Sequence, residues 1–373
     1  MRSNFQLLLL LCFIAVGTNA QEAQPHLLNI GDPAPPLWVS GWIKGEPVQG
    51  FEKGNVYVVE LWATWCIPCI AAMTHLSVLA GEYKDRVTVL GIDIYEKKTT
   101  SIEKVKAFVD SMGHRMDYRV AKEDSNLMVS GWLYAFGEQS KGIPRSFVVN
   151  AEGRVAWIGY PKKLEEVLPK IVNNAWDIKE AWAKRNLERH LEELDDSLYY
   201  ELIRYVGDPD KPDDLGKPDS ALLVINEMVR NEPKLKYAPR IAYNTFSSLL
   251  KTNSHNAYEY GKVAMVTTTY EDPAYDAIIG VINTYSDKLN LPGEIYHLGA
   301  EAYQARIDLL PYPEIADISK YYNQMAEWYW RANDKSKAID AQQKAIEALK
   351  RKKDFSTTKM AAFESQLKQY RNM

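Results

Sequence analysis

Two cysteines separated by two residues, Cys66-Ile67-Pro68-Cys69, stand where an apolar run ends and a helical pattern begins. The run Val56-Tyr57-Val58-Val59-Glu60-Leu61-Trp62 has strand character, and the helical pattern opens at Ile67. A thiol at a helix N-terminus faces unpaired backbone N–H groups and the positive end of the helix dipole, and both favour thiolate over thiol. The thiolate is the attacking species in disulfide exchange. Cys66 is therefore the candidate nucleophile. Cys69, one helical turn on, is the candidate resolving thiol and is close enough to close a small disulfide loop. Pro68 suits its place between them, because a proline in a helix's first turn gives up an N–H that has no intrahelical acceptor.

The same strand carries a carboxylate, Glu60, among apolar neighbours. Burying an acid costs free energy and raises its pKa, so an acid there calls for a reason. Trp62 and Trp65 flank the turn, Trp62 as a core residue and Trp65 as the more exposed of the two. His75 lies farther along the helix and is assigned no role.

The rest of the composition removes competing chemistries. Residues 1–20 read as an export signal: Arg2 supplies the charge, 7–16 the apolar stretch, and Thr18-Asn19-Ala20 the small residues before cleavage after Ala20. That apolar stretch is too short to span a bilayer, and no other apolar run approaches membrane-spanning length. Cys12 falls inside the signal. Leu11 before it is bulky where a lipidated cysteine wants a small residue, so a lipoprotein is disfavoured. The mature chain then keeps only Cys66 and Cys69. A structural zinc site wants four N or S ligands, and the six histidines show no paired spacing, so no metal is expected. One adjacent cysteine pair does not staple an exported scaffold, so the pair reads as reactive. The 373 residues carry a formal net charge of −4 with a pI of about 6.0, which offers no basic surplus for nucleic acid.

The elements that would position these residues follow from periodicity and punctuation. The Pro-rich stretch around Pro33, Pro35 and Pro36 is an extended lead-in. Short strands at 37–39 and 43–48, around Gly41 and Gly45, form a hairpin. Strands at 55–62 and 87–94 are apolar on both faces, as in a buried sheet. Helices are expected at 67–83, 101–112 and 162–174, with a further helical stretch at 126–136 interrupted by Gly131. A short strand falls at 116–121, and strands at 146–149 and 155–158 make a hairpin through Gly153. Strands alternating with helices imply an α/β sheet with helices on both faces.

On these residues, the stretch of about 31–175 resembles the TlpA-like branch of the thioredoxin family. The likeness rests on Trp62-Ala63-Thr64-Trp65-Cys66-Ile67-Pro68-Cys69, then Gly142-Ile143-Pro144, then Ser146-Phe147-Val148-Val149-Asn150 with Gly153. The segment from about Tyr95 to Phe136 matches the helix and strand that this branch inserts. The resemblance implies that Glu60 lies beneath the disulfide and serves as general base for Cys69. It implies a cis Pro144, and an Ile143 backbone that pairs with an extended substrate peptide in a short β-augmentation. Trp65, with Ile67, Pro68, Ile143 and Gly159, would add an apolar docking patch for protein clients. Ile70, Ala71, Ala72 and Thr74 replace polar and kinking residues common in relatives, so a reduction potential does not transfer.

Residues 176–373 change character: strand patterning stops, and helical runs rich in Tyr, Trp and Ala take over. A loop at 207–218 interrupts them. Residues 322–345 resemble a tetratricopeptide helix pair, with Tyr322, Met325, Ala326 and Tyr329 on the first helix, Asn333-Asp334 at the turn, and Ala338 and Ala345 on the second. Gln342 departs from the usual large apolar residue. Ala257, Gly261 and Ala264 echo the second-helix spacing. The expected architecture is thus a signal at 1–20, an α/β thioredoxin-like domain at 21–175, and an all-α, helical-repeat, tetratricopeptide-like domain at 176–373.

The function expected is an exported thiol–disulfide oxidoreductase, acting as a reductant of protein disulfides through Cys66 and Cys69. It would need no cofactor, and its location would be the periplasm or cell envelope. Its partners would be protein disulfide or dithiol substrates, a membrane-bound thiol–disulfide electron donor, and a peptide partner on the helical domain, with no nucleic acid. Two alternatives compete. A thiol peroxidase of the related antioxidant group would want a threonine three positions before the cysteine, where Ala63 stands, and an arginine. A scaffold would use the helical domain to bind clients without catalysis.

Overall fold

The computed structural model describes residues 27–207, 214–270, 273–310, 316–352 and 355–372. The expected signal at 1–20, with Cys12, lies outside the described residues. Six strands form one sheet: β1 (Val39–Lys44), β2 (Val56–Trp62), β3 (Val87–Asp93), β4 (Arg119–Glu123), β5 (Arg145–Val149) and β6 (Val155–Gly159), in the order β1-β4-β3-β2-β5-β6. The β2/β3 and β3/β4 pairs are parallel; β1/β4, β2/β5 and β5/β6 are antiparallel. Every residue of β2 is buried, as its two-sided apolar pattern requires of a central strand.

Three helices, α1 (Ile67–Glu82), α2 (Ile102–Met112) and α3 (Leu164–Val172), cover one face. Met73 and Leu76 of α1, Val105 and Val109 of α2, and Leu168 of α3 pack there against Val58, Val89 and Val148. The other face is closed by a π-helical turn (Val129–Tyr134) and by the N-terminal stretch. Trp132 and Phe136 stack edge-on against Phe147, and Leu28, Leu37 and Trp38 pack alongside. The interruption expected at Gly131 is real and has a packing cause: the Trp38 ring stands 2.1 Å from where a Cβ would be.

Two expectations are corrected. Residues 37–48 form no hairpin. Within them only Val39–Lys44 is strand, the single β1, antiparallel to β4, and Gly41 sits inside it because Ile102 Cδ1 lies 2.7 Å from its missing Cβ. The strand expected at 116–121 begins at Arg119, because the chain after α2 first makes a 3-10 turn, Gly113–Met116, with Gly113 at φ +55°. The hairpin between β5 and β6 turns as expected, with Gly153 at φ +77° and Asn150 Oδ1 accepting from the Arg154 N–H at 2.9 Å.

Beyond Trp176 the described residues are helices and their connections, apart from an isolated bridge between Val206 and Gly216. They are α4 (Ile178–Leu202), α5 (Pro218–Asn231), α6 (Pro239–Thr252), α7 (Ser254–Ala264), α8 (Tyr275–Tyr285), α9 (Gly293–Asp308), α10 (Ser319–Arg331), α11 (Lys335–Lys350) and α12 (Thr357–Asn372). Most helices adjacent in sequence pack on one another; α7 and α8 each pack instead on α6 and α9, and these four interlock around Phe246, Ile282 and Leu298. Asn333 at φ +66° and Asp334 as N-cap make the α10–α11 turn, and Met325, Ala326, Ala338 and Ala345 are buried. Gln342 is buried too. Its amide donates to the Phe363 carbonyl of α12 at 3.1 Å, which explains a polar residue at an apolar place. Among the described residues, no helix is long and apolar enough to cross a membrane.

Candidate active site

The chain leaves β2 at Trp62, turns through Ala63, Thr64 and Trp65, and enters α1. Cys66 is the N-cap, with extended backbone (φ −83°, ψ 97°), and its Sγ accepts from the Cys69 N–H at 3.2 Å. Pro68 lies in the first turn. Cys66 and Cys69 are joined by a disulfide of 2.05 Å, with Cα atoms 5.2 Å apart. Both sulfur residues are nearly covered: Cys66 is 4% exposed and Cys69 1%. Cys66 is thus the more exposed of the two, as its place at the helix start predicts, but only slightly. The exposed surface around it belongs to Trp65, 57% exposed, and Ile67, 61% exposed.

The turn before Cys66 is held from the end of β3. Glu96 Oε1 accepts from the Thr64 N–H at 2.8 Å and from its hydroxyl at 2.6 Å. The Trp65 indole N–H donates to the Tyr95 carbonyl at 3.2 Å, and Tyr95 itself takes a left-handed conformation at φ +58°. Sequence reasoning missed Glu96. Its signal is weak: an acid three residues past the end of β3 is ordinary surface composition.

From the opposite side comes the loop before β5. The Ile143–Pro144 peptide bond is cis, Pro144 is buried, and the Ile143 carbonyl oxygen lies 3.8 Å from Cys66 Sγ. Four of the singled-out residues, Cys66, Cys69, Ile143 and Pro144, therefore meet at one point, with Trp65 at the rim through its place next to Cys66. His75 is elsewhere, pairing with Glu165 of α3 at 3.2 Å.

Glu60 is 1% exposed. By strand alternation it shares a face with Val58 and Trp62, whose side chains pack in the cluster that holds Cys66 and Cys69. Burial pushes its carboxyl up to about 8; the Ser146 hydroxyl donating to Oε2 and the charge of Arg145 pull the other way but do not cancel it. Its Oε1 has no hydrogen-bond partner. Ser146 stands directly across the β2/β5 ladder. Tyr160, just past β6, is pushed up to about 12 by burial and by the Glu60 charge. A carboxyl that stays largely protonated at neutral pH in this cluster can give or take a proton there.

A second buried acid, Asp93, ends β3 across from Trp62. Burial and the nearby Glu96 charge push it up to about 8, against Lys122 at 3.6 Å. Like Glu60 it is an acid inside an apolar strand, so the signal was present in the sequence. Among the described residues, no group of three or more His, Cys, Asp or Glu gathers as a metal site.

Residues 30–158 match the AhpC/TSA family. The chain is 33% identical over 153 residues to the protein FixW of Rhizobium leguminosarum, covering 40% of this chain and 68% of that one. It is 28% identical over 154 residues to the thiol-disulfide oxidoreductase ResA of Bacillus anthracis, covering 40% of this chain and 82% of that one. It is 26% identical over 140 residues to the thiol:disulfide interchange protein DsbE of Pasteurella multocida, covering 36% and 70%. A solved thiol-disulfide isomerase from Corynebacterium glutamicum aligns with a TM-score of 0.33 at 18% identity, over 39% of this chain and 96% of that one. The chain accordingly belongs to the AhpC/TSA family and is a thioredoxin-like thiol–disulfide oxidoreductase whose cysteine pair is Cys66 and Cys69.

Proposed function

We propose that the protein reduces disulfides of exported protein clients. The observation that carries this is the meeting of a helix-capping Cys66 with the Ile143 carbonyl, 3.8 Å away, before cis Pro144. In the reduced protein, Cys66 thiolate attacks one sulfur of a client disulfide, forming a mixed disulfide and releasing a client thiolate, which takes up a proton. Glu60 accepts the Cys69 proton. Cys69 thiolate then attacks Cys66 Sγ, releasing the second client thiolate and forming the Cys66–Cys69 disulfide. Two electrons pass to the client. The Ile143 backbone pairs with an extended client segment, Pro144 shapes that edge, and the exposed Trp65 supplies apolar contact area. With a pKa of about 8, roughly a tenth of Glu60 is ionised at neutral pH, and it is this carboxylate form that accepts the Cys69 proton.

A peroxidase reading is not favoured, because Ala63 stands where that chemistry wants a hydroxyl. Export rests on residues 1–20. A mature N-terminus at Gln21 in the envelope fraction checks it. A membrane-bound dithiol donor would restore the reduced pair. We divide the mature chain into 21–175 and a tetratricopeptide-like 176–373 that presents a peptide-binding surface.

The test is the reduction potential of the pair, read by thiol alkylation in glutathione or dithiothreitol buffers. A value near −270 mV, roughly that of thioredoxin, supports a reductant, and one near about −120 mV reverses the direction. If no reversible two-electron transition appears, the helical scaffold reading replaces it.

A further inference from the structure

The loop that carries Ile143 and Pro144 has no helix or strand of its own, and the helical region holds it. Glu138, at its start, is buried, and its carboxylate is ion-paired with two guanidiniums: Arg145, the residue after Pro144, and Arg185 on α4. Burial alone would raise that carboxyl, but the two cations hold it below the usual carboxylate range. Arg185 also donates to the Phe136 carbonyl at 2.7 Å, and Arg189, one turn on, donates to the same oxygen at 2.6 Å. Lys141, in the middle of the loop, pairs with Glu192 of α4 at 3.0 Å. The stretch from Phe136 to Arg145 is thus pinned directly to α4 at its start and middle, and its end reaches α4 only through Glu138, which Arg145 and Arg185 share. The far half of α4 is fastened to the bundle by buried Asp195, which accepts from the Arg240 and Ile241 N–H groups and from the Tyr270 hydroxyl.

We propose that α4 is a buttress for the client-binding loop, with Arg185, acting through Glu138 and Arg145, a positioning residue that fixes the Ile143–Pro144 backbone opposite Cys66. The inference rests on the reading of Ile143 as the backbone that pairs with clients. A free loop would have to order when a client binds, and that ordering would weaken binding. A pinned loop is ordered beforehand, so the buttress acts on client binding rather than on sulfur chemistry. It also gives the helical region a part in the reaction that needs no partner.

The test compares full-length Arg185→Ala with Asp195→Asn, which loosens the other end of α4. Hydrogen exchange is followed for the amides of 137–146. Insulin serves as the protein disulfide and dithiothreitol as the small thiol. Arg185→Ala is expected to speed exchange in 137–146 by about tenfold or more. It should raise KM for insulin by about tenfold while kcat and reaction with dithiothreitol stay as in the wild type. Asp195→Asn should lower Tm without either change. Unaltered exchange in Arg185→Ala, equal changes in both variants, or a matching loss with dithiothreitol overturns the proposal. Should Arg185→Ala not fold, Glu192→Gln removes the partly exposed middle pin and must shift exchange and KM in the same direction; no shift there also overturns it. If wild type fails to reduce insulin, the functional reading fails, while the exchange measurement still decides whether α4 holds the loop.

Discussion

Replacing Glu60 by glutamine removes one ionisation from the centre of the sheet and leaves the shape nearly intact. The wild-type carboxyl is fully buried, with Ser146 on one oxygen and nothing on the other. Its pKa rises from 4.5 to about 8, chiefly through burial. At 1.36 kcal/mol per unit, ionising it in the folded protein costs about 5 kcal/mol more than in the unfolded chain. The unfolded chain releases this proton near 4.5, and the folded protein holds it to about 8. Between those values the folded state binds more protons, so unfolding free energy falls as pH rises. The cost is absent below the window and complete above it. Urea unfolding of the oxidised proteins at several pH values is the assay. Wild-type stability relative to E60Q should fall by about 4 kcal/mol between pH ~5 and ~8. Asp93, also raised to about 8, titrates in the same window but is present in both proteins and cancels in the difference. A difference that stays flat across that range would refute the placement of Glu60 as a buried, proton-holding acid.

Other outcomes follow from the same site and from the helical core. Cys69→Ser should trap a mixed disulfide with clients that nonreducing electrophoresis detects, whereas Cys66→Ser should trap none. Trp65→Ala, at an exposed position, should raise KM for a protein disulfide by roughly tenfold, on the scale of an interface anchor, with Tm essentially unchanged. Trp328, fully buried against Tyr303 and Gly299, should cost about 3–5 kcal/mol as Trp328→Ala in urea unfolding. That loss should leave the reduction potential of the cysteine pair unmoved.

The parts of the fold that were legible in the sequence are those written in neighbouring residues. The switch from a two-sided apolar strand to a proline-led helix located β2, Cys66 and α1, and Gly153 with Asn150 marked the β5–β6 turn. What stayed hidden depends on residues far apart in the chain. Gly41 looks like a turn glycine, yet it lies within β1 because Ile102 crowds it from α2. Glu60 was visible as an anomaly, whereas its partner Ser146 emerges only from the β2/β5 register. Asp93 carried the same anomaly and went unread. Glu138 and Arg185, 47 residues apart, each resemble ordinary surface charge until the fold brings them together. Gln342 seemed a defect in a helical repeat until α12 supplied the carbonyl it donates to.

The position of Cys66 as the cap of α1 makes helix and sulfur parts of one equilibrium. As half of a disulfide, Sγ is a neutral and weak acceptor for the Cys69 N–H; as a thiolate it brings a full negative charge to the same place. Reduction therefore tightens the first turn of α1, and oxidation loosens it. Coupling of this kind is reciprocal, so whatever braces that turn holds electrons on the pair and whatever frays it gives them up. A cap is worth about 0.5–2 kcal/mol, which for a two-electron couple corresponds to roughly 10–40 mV. A client that settles on Trp65 and Ile67, at the mouth of that helix, would adjust the driving force of its own reduction by the act of docking.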